Sequence, residues 1–378
     1  MNVKTPILAH SKRLVIKTGS ALVTDETTGK SRKAWMASLM EDIAHMRARG
    51  TEVVLVSSGG VALGRKILGF EPGQSLKLPE RQASAACGQV RLMDRWRDMA
   101  NIYDMRIAQV LLTLDISEER DRYVNARNTL NKLLELDILP IVNENDTIAA
   151  EDLRVGDNDR LAARVAEMVE ADTLIIFSNI DGFYTKDPTI YKDAKKIDLV
   201  EEFTPEIEAM AGKSKSSIAT GGMITKLKAA KLAQHSGCHT LIANGTAPHP
   251  LEAALEPGVG TWFLGHPNPV QARKRWISGT LQTMGHVVVD AGAMKALGAG
   301  NSLLAVGITE VHGNFEKGDT VSIQNAKGDI IGRGLIEFDA DELRQIIGKQ
   351  SDDFEAILGY KSRHSVIHRD DMVMIHGR

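Results

Sequence analysis

The chain has 378 residues, of which 43% are hydrophobic and 25% charged, and its formal net charge is −3. This length predicts two globular domains, and the nearly balanced charge gives no whole-chain reason to expect nucleic acid binding. Its two cysteines, Cys87 and Cys238, form no C-x-x-C pair, which argues against a disulfide framework or a zinc ribbon. No apolar run approaches the roughly 20 residues that span a bilayer, and no signal peptide pattern opens the chain, so we expect a cytoplasmic protein without a membrane partner.

Short β-branched runs alternate with longer amphipathic stretches through about residue 265. Strands are predicted at Arg13–Lys17, Glu52–Ser57, Arg106–Thr113, Ile138–Asn143, Thr173–Ser178 and His239–Ala243. Helices are predicted between them at Lys33–Arg49, Pro79–Tyr103, Arg122–Leu136, Asp159–Glu170 and Gly222–His235. This alternation predicts an α/β fold with a mostly parallel sheet sandwiched by helices. Two segments break the pattern: Thr147–Val155, a predicted hairpin or flap, and Tyr184–Ser217, which should hold one short helix near Pro205–Ala211.

The pattern changes after Trp262, where shorter segments are separated by glycine-rich turns. Strands are predicted at Val287–Asp290, Ser302–Gly307, Thr320–Gln324, Ile330–Leu335 and Met372–Ile375, and helices at Ala293–Leu297 and Asp341–Ile347. Short strands at regular spacing predict a small β-barrel. The predicted domains are therefore residues 1–265 and 273–378.

Carboxylates and carboxamides occur in two dense groups near the middle of the chain. Asn143-Glu144-Asn145-Asp146 follows the apolar run Ile138–Val142, and Asp157-Asn158-Asp159 opens the apolar-periodic stretch Leu161–Val169. Ligands of open α/β sheets bind beyond the carboxyl ends of the strands, so these groups predict a site for a small, polar, zwitterionic substrate. A helix cap or an Asx-turn is the alternative explanation for any one of these residues.

Three further motifs point to a triphosphate. Lys17-Thr18-Gly19-Ser20 and Ser57-Ser58-Gly59-Gly60 end the first two predicted strands, and Thr220–Lys226 opens a predicted helix with two glycines and a lysine. Glycines at a helix N-terminus let backbone N–H groups approach an anion, and the lysines add positive charge. Turns, close helix–strand contacts and a solvated lysine are the respective structural alternatives. We predict no metal site, since Gly237 should end a helix between His235 and the pair Cys238-His239.

In the order in which they occur along the chain, the motifs resemble those of the amino acid kinase family, and the C-terminal part resembles a PUA domain. The resemblance covers nearly the whole chain. Its most specific part is the combination of Asn143-Glu144-Asn145-Asp146 with Gly156-Asp157-Asn158-Asp159.

The resemblance implies a role for each matching residue. Lys17 and Lys226 would contact the transferring phosphoryl group, and Asp159 would orient them. The implied residues for the acceptor are Ser58, Gly59, Asn143, Asp146 and Asn158. The implied ATP contacts are Lys17, Ser178, Asn179, Thr220, Gly221, Gly222, Met223, Ile224, Thr225 and Lys226. The family usually has Asp where this chain has Asn179, which leaves a charge-dependent nucleotide contact there open.

The implied reaction is ATP-dependent phosphorylation of the side-chain carboxylate of L-glutamate to L-glutamyl 5-phosphate, the first step of proline biosynthesis. Mg²⁺ would accompany ATP, proline would inhibit by feedback, and the product would pass to glutamate-5-semialdehyde dehydrogenase. A homo-oligomer is also implied. The acceptor carboxylate, with a reference pKa of about 4.3, is already ionised at neutral pH, so no catalytic base is needed.

Two alternatives remain. The first is a kinase of the same fold for another small carboxylate or acceptor. The second is an RNA-binding protein, because PUA-like barrels elsewhere bind RNA and a basic face could form from Arg273-Lys274-Arg275, Lys361, Arg363 and Arg369.

Overall fold

The structure is a computed structural model, and it describes residues 7–25, 28–71, 73–113, 120–148, 157–211, 222–266, 283–315, 319–359 and 365–374. The chain divides into two units, one formed by Met1–Leu114 with Val124–Pro267 and the other by Asp115–Tyr123 with Asn268–Arg378. The domain limits of 1–265 and 273–378 stay a prediction.

Up to residue 266, short strands and longer helices alternate. The strands are β1 Arg13–Thr18, β2 Thr24–Asp25, β3 Lys30–Ser31, β4 Glu52–Ser57, β5 Ile107–Leu112, β6 Leu139–Glu144, β7 Thr173–Ser178, β8 Phe183–Tyr184, β9 Lys196–Ile197, β10 Leu199–Val200, β11 His239–Asn244 and β12 Thr261–Phe263. The helices are α1 Ser20–Val23, α2 Lys33–Ala48, α3 Gly60–Ile67, α4 Leu78–Asn101, α5 Arg120–Glu135, α6 Asp157–Met168, α7 Pro205–Met210, α8 Met223–His235 and α9 Pro250–Ala253. A 3₁₀ turn, Ile7–His10, precedes β1.

Eight of these strands form one sheet, in the order β10-β12-β11-β7-β1-β4-β6-β5. Its pairs are parallel except for the antiparallel pair of β11 with β12, a strand that the sequence did not predict. The central strands β1, β4 and β7 are buried along almost their whole length, as expected for parallel strands covered on both faces. All six predicted strands are present with ends displaced by at most one residue, so the predicted α/β class is confirmed.

The register of the sheet aligns the carboxyl ends of its strands. Thr18 of β1 pairs with Ser57 of β4 and with Phe177 of β7. In the neighbouring pair, Ser178 at the end of β7 pairs with Asn244 at the end of β11. The polar motifs that follow these strands therefore share one edge of the sheet, which is where the sequence predicted ligand binding.

Helices α3 and α4 touch through their backbones, and two glycines permit this. A Cβ on Gly64 would lie 1.7 Å from the carbonyl oxygen of Ser84, and one on Gly88 would lie 1.8 Å from that of Gly60. Any larger residue would force the helices apart. The contact holds α4 against the segment that follows β4.

The C-terminal unit contains a mixed five-stranded sheet. Its strands are β13 Gly285–Val289, β14 Ile308–Gly313, β15 Thr320–Asn325, β16 Ile330–Leu335 and β17 Met372–Met374, in the order β14-β13-β15-β16-β17. The helices are α10 Ala291–Gly298, α11 Ala340–Ile346 and α12 Phe354–Leu358. A separate apolar core, including Val287, Ile323 and Phe338, lies in this unit.

One predicted strand of this unit is wrong. Ser302–Gly307 is predicted as a strand because it is a short apolar run between turns. In the structure Leu303 and Ala305 are buried, whereas Leu304 and Val306 are about 40% exposed. The backbone instead makes a single bridge, from Leu303 to Ile367, and then a 3₁₀ turn over Ala305–Gly307. The strand follows, at Ile308–Gly313, where mostly exposed residues gave no hydrophobic signal.

Two other predictions concern connecting segments of the chain, and a third concerns the membrane. The short helix near Pro205 is confirmed as α7. The predicted flap, Thr147–Val155, lies outside the described residues beyond Ile148. Within the described ranges, no helix combines the length and apolar character that crossing a membrane requires.

Candidate active site

Two lysines distant in sequence contact one carboxylate at the edge of the sheet. Lys17 Nζ lies 2.5 Å from Asp159 Oδ1, and Lys226 Nζ lies 3.3 Å from Asp159 Oδ2. Thr225 donates a hydrogen bond of 2.9 Å from its hydroxyl to Asp159 Oδ2. The structure thus brings together the three residues that the family resemblance assigned to catalysis.

Each member of this group is placed by a regular element. Lys17 is the penultimate residue of the buried strand β1, whereas Asp159 and Lys226 lie in the first turns of α6 and α8. All three are almost completely buried, with 7% of Lys17, 0% of Asp159 and 5% of Lys226 exposed. Fixed elements and burial leave these side chains little freedom, so the group is preorganised.

The electrostatics of this group favour an additional anion. Burial raises the pKa of Asp159, but the charges of Lys17 and Lys226 and the hydrogen bonds from Lys17 and Thr225 outweigh it, so the net pKa shift is downward. The pKa of Lys226 is lowered, first by burial and also by Lys17, while Asp159 opposes the shift. Two ammonium groups sharing one carboxylate form a poorly solvated site with excess positive charge, which suits the tail of a phosphate chain.

Amide and hydroxyl groups form a second network at the same edge. Asn158 Nδ2 donates to Ser58 Oγ at 2.7 Å and to Asn143 Oδ1 at 3.3 Å. Asn143 Oδ1 also accepts from the backbone N–H of Glu144, at 2.9 Å. A backbone N–H can only donate, so the atom of the Asn143 amide that faces Glu144 must be its oxygen. That oxygen can only accept, so the atom of Asn158 that faces it must be the amide nitrogen.

The fixed orientation of these amides determines what the network offers a ligand. Asn158 Oδ1 is buried and has no hydrogen-bond partner among the described residues. It is an acceptor, so it suits an ammonium group. Ser58 Oγ already accepts from Asn158, which leaves its own hydrogen to donate to a carboxylate.

The other predicted acceptor residues lie beside this network. Gly59 has a φ of +119°, a left-handed backbone conformation that residues other than glycine rarely adopt. This conformation turns the chain from β4 into α3. Asp146 is half-buried just beyond β6. Asp157 begins α6. The residues predicted to hold the acceptor therefore lie at or just beyond the ends of β4 and β6 or open α6.

The predicted nucleotide residues are described only in part. Ser178 ends β7, and its hydroxyl donates a hydrogen bond of 3.3 Å to Oδ1 of the exposed Asn179. Gly222, which is exposed, is the N-cap of α8 and forms no side-chain cap, so the helix opens with the backbone N–H groups of Met223 and Ile224, while that of Thr225 donates to the carbonyl of Gly222 at 3.1 Å. Such an N-terminus is a site for an anion. Thr220 and Gly221 lie outside the described residues.

Two contributors from α4 were missed by the sequence analysis. Gln89 accepts a hydrogen bond of 2.8 Å from Asn143 Nδ2, and Trp96 donates one of 3.0 Å from its indole to Ser57 Oγ. They lie seven residues apart, two turns along one helix face. The amphipathic pattern of α4 indicated that this face points inward, but nothing in it identified the partners.

In the described residues, one group of side chains has spacing suited to a metal ion: Asp42, His249 and Glu252, on α2 and at α9. The oxygens of Asp42 already accept from His249 and from the backbone N–H groups of Leu251 and Glu252. The group therefore fastens α9 to α2. Most of the basic face predicted for RNA, namely Arg273-Lys274-Arg275, Lys361 and Arg363, lies outside the described residues.

The fold and this edge together define a phosphotransferase. Residues 12–244 match the amino acid kinase family, and residues 285–358 match the PUA domain. The chain belongs to the amino acid kinase family.

Relatives of similar length carry one name. The chain is 52% identical to the "Glutamate 5-kinase" of Paramagnetospirillum magneticum over 97% of this chain and 99% of that protein. It is 49% identical to the "Glutamate 5-kinase" of Rhizobium rhizogenes over 97% of this chain and 94% of that protein. Among solved structures, a carbamate kinase from Giardia lamblia is 18% identical, with a TM-score of 0.49 over 68% of this chain and 99% of the other.

Proposed function

We propose that the protein transfers the γ-phosphoryl group of ATP to the side-chain carboxylate of L-glutamate, giving L-glutamyl 5-phosphate and ADP. The main support is the convergence of Lys17 and Lys226 on Asp159 beside an amide network suited to an amino acid. The names of relatives that are about half identical over nearly the full chain point to the same acceptor.

The chemical step needs positioning more than proton transfer. A carboxylate oxygen of glutamate attacks the γ-phosphorus, a new O–P bond forms, and the bond from γ-phosphorus to the bridging oxygen breaks with its electron pair leaving on ADP. The nucleophile is already ionised at neutral pH, since its reference pKa is about 4.3. No proton has to be removed, in agreement with a group of lysines and one aspartate that contains no histidine.

Lys17 and Lys226 would stabilise the charge that spreads over the phosphoryl oxygens in the transition state. Asp159 holds both ammonium groups and would keep them from separating while no phosphate is bound. The open N-terminus of α8 would bind the phosphates of ATP through its backbone N–H groups.

Mg²⁺ would enter as part of the ATP complex. Both oxygens of Asp159 face lysine or threonine donors, so this carboxylate is poorly suited to bind a metal directly. Mg²⁺ keeps several water ligands and commonly relies on substrate phosphates, which fits this arrangement.

The amide network would hold the amino acid. The α-ammonium group would donate to Asn158 Oδ1 and pair with Asp146, while the Ser58 hydroxyl would donate to a carboxylate oxygen. Glutamate supplies one ammonium and two carboxylates, so it can satisfy both the acceptors and the donor.

Proline shares the ammonium and α-carboxylate of glutamate but has no side-chain carboxylate. We therefore propose that it inhibits by occupying the same amide network without being phosphorylated. The acyl phosphate product hydrolyses readily, so a reductase, glutamate-5-semialdehyde dehydrogenase, would consume it. The homo-oligomer and the cytoplasmic location stay predictions.

The experiment is an ADP-release assay with glutamate, aspartate, N-acetylglutamate, carbamate and a nucleoside monophosphate as acceptors. We expect glutamate to give the highest kcat/KM and a hydroxamate after addition of hydroxylamine, which traps acyl phosphates. Proline should lower the rate with glutamate. A higher kcat/KM with any other acceptor would assign the protein to that substrate.

A further inference from the structure

We propose that Gln89 is a positioning residue for the acceptor, acting through Asn143. This inference rests on the proposed role of the amide network. Gln89 lies on α4, 54 residues before Asn143 in the sequence. Its Oε1 accepts a hydrogen bond of 2.8 Å from Asn143 Nδ2.

Asn143 is held at both ends of its amide group. The backbone N–H of Glu144 donates to its oxygen at 2.9 Å, and Gln89 accepts from its nitrogen at 2.8 Å. Asn143 is only 2% exposed, so water is a poor substitute for either partner. Loss of Gln89 Oε1 would leave the nitrogen of Asn143 without its acceptor and allow the amide to rotate.

Rotation of Asn143 would reach the acceptor through Asn158. The oxygen of Asn143 is one of two acceptors for Asn158 Nδ2, the other being Ser58 Oγ. If that oxygen turned away, Asn158 would lose a restraint on its plane, and its free Oδ1 would no longer have a fixed direction. The expected defect is therefore in acceptor binding, while Lys17 and Lys226 are unaffected.

Gln89 is itself well placed to act as a fixed support. Its neighbour Gly88 lies in backbone contact with Gly60, and a Cβ on Gly60 would be 3.1 Å from Gln89 Oε1. The side chain is thus confined against the segment that follows Ser58 and Gly59. This confinement fixes the acceptor atom on which Asn143 depends.

The nitrogen of Gln89 gives independent support. Since Gln89 must present its oxygen to Asn143, its Nε2 points elsewhere, and this buried atom has no hydrogen-bond partner in the described part of the chain. Most buried polar atoms are hydrogen-bonded, so this nitrogen is available as a donor to a ligand or a water beside the network.

The test is a double-mutant cycle of Gln89→Met and Asn143→Ala in the full-length protein. Met keeps the length and apolar stem of Gln but cannot accept the hydrogen bond. We expect Gln89→Met to raise the KM of the acceptor about tenfold or more, with kcat within about threefold and the KM of ATP within about twofold of wild type. In the Asn143→Ala background the same substitution should change the acceptor KM by less than about twofold.

Two further variants separate the loss of this hydrogen bond from a general effect of the substitution on folding. Gln345→Met makes the same replacement at an exposed position of α11 and should leave all three constants unchanged. Gln89→Asn keeps the polarity but withdraws the oxygen by one methylene, and it should reproduce the defect of Gln89→Met even if the Met variant folds poorly.

The outcomes distinguish this inference from the proposed function. A wild-type enzyme that phosphorylates glutamate, with a Gln89→Met or Gln89→Asn variant of unchanged acceptor KM, would overturn the role of Gln89 alone. Equal effects of Gln89→Met with and without Asn143 would overturn its action through that residue. A wild-type enzyme that uses no acceptor of the panel would overturn both.

Discussion

The two halves of the candidate site offer different chemistry to the proposed reaction. In the lysine half, Lys17, Lys226, Asp159 and Thr225, two ammonium groups and one hydroxyl surround one buried carboxylate. In the amide half, Ser58, Gln89, Asn143 and Asn158, neutral groups orient one another through directional hydrogen bonds. Full charges are useful where the reaction moves charge, whereas amides with fixed orientation select a substrate. Damage to the first should therefore appear in kcat, and damage to the second in the KM of the acceptor.

The largest effect is expected for Asp159→Asn. The substitution keeps the shape of the side chain but leaves two buried ammonium groups without their shared counter-ion. Removing one partner of a buried ion pair typically costs about 3–5 kcal/mol. We expect a large drop in stability and a fall in kcat of about 10³-fold or more, measured by thermal unfolding and by ADP release.

The pH dependence of stability provides the control for this prediction. The folded-state pKa of Asp159 is lowered, so its contribution is present above the unfolded value of about 3.9 and is lost as the pH falls through the folded pKa. Asp159→Asn should remove that part of the acid destabilisation. A variant with wild-type kcat would contradict the central position of Asp159 in the lysine half.

Lys17→Ala and Lys226→Ala come next. Each removes one charge that would meet the transferring phosphoryl group, so we expect kcat to fall about 10²–10³-fold, with the KM of glutamate changing by less than about threefold. Lys228→Ala, which removes an exposed lysine from the same helix as Lys226, is the matched control. Equal kcat with only a raised glutamate KM would assign these lysines to the acceptor.

A smaller effect is expected in the amide half for Asp146→Asn. The carboxylate would pair with the α-ammonium group of glutamate, and a charge-assisted hydrogen bond is about twice as strong as a neutral one. We expect the KM of glutamate to rise about tenfold with little change in kcat. Asp198→Asn, at an exposed position, is the control, and an unchanged glutamate KM in Asp146→Asn would count against this role.

The sequence was sufficient to predict most of the sheet that carries both halves. The strands β1, β4 and β7 are buried on both faces, so each appears as a continuous apolar run that is hard to misassign. By contrast, β14 was missed because its exposed residues carry no such signal. The carboxyl ends of the strands could also be located, which was enough to place the polar motifs at one edge.

The pairing within the site was harder to predict. A helix cap would have explained Asp159 equally well from sequence, but in the structure its oxygens face Lys17, Lys226 and Thr225. Gln89 was not predicted at all, because a polar residue on the inner face of a helix does not reveal a partner 54 residues away. Long-range hydrogen bonds depend on how helices pack, and a single sequence shows that only indirectly.

The smallest effect is expected for the pair of His249 with Asp42, another buried carboxylate, which tests whether burial alone marks a site. Asp42 is 3% exposed, like the carboxylate of the lysine half, but its oxygens accept from His249 and from the backbone N–H groups of Leu251 and Glu252. The hydrogen bond to Asp42 raises the pKa of His249, and the charges of Asp42, Glu41 and Glu252 act in the same direction against the small effect of burial. Since the folded pKa exceeds the unfolded value of about 6.5, this stabilisation is complete below that pH and is lost as the pH rises through the folded pKa.

We therefore expect the unfolding temperature of the wild-type protein to fall by about 1–2 °C as the pH rises across this window, because His249 is partly exposed and its pairing is screened by solvent. His249→Asn, which tolerates the positive φ of 53° at this position, should flatten that slope without changing the kinetic constants. A loss of activity in this variant would join Asp42 to the catalytic machinery. An unchanged slope would mean that another group titrates. Either result would weaken the distinction between a carboxylate that fastens two helices and one that organises phosphoryl transfer.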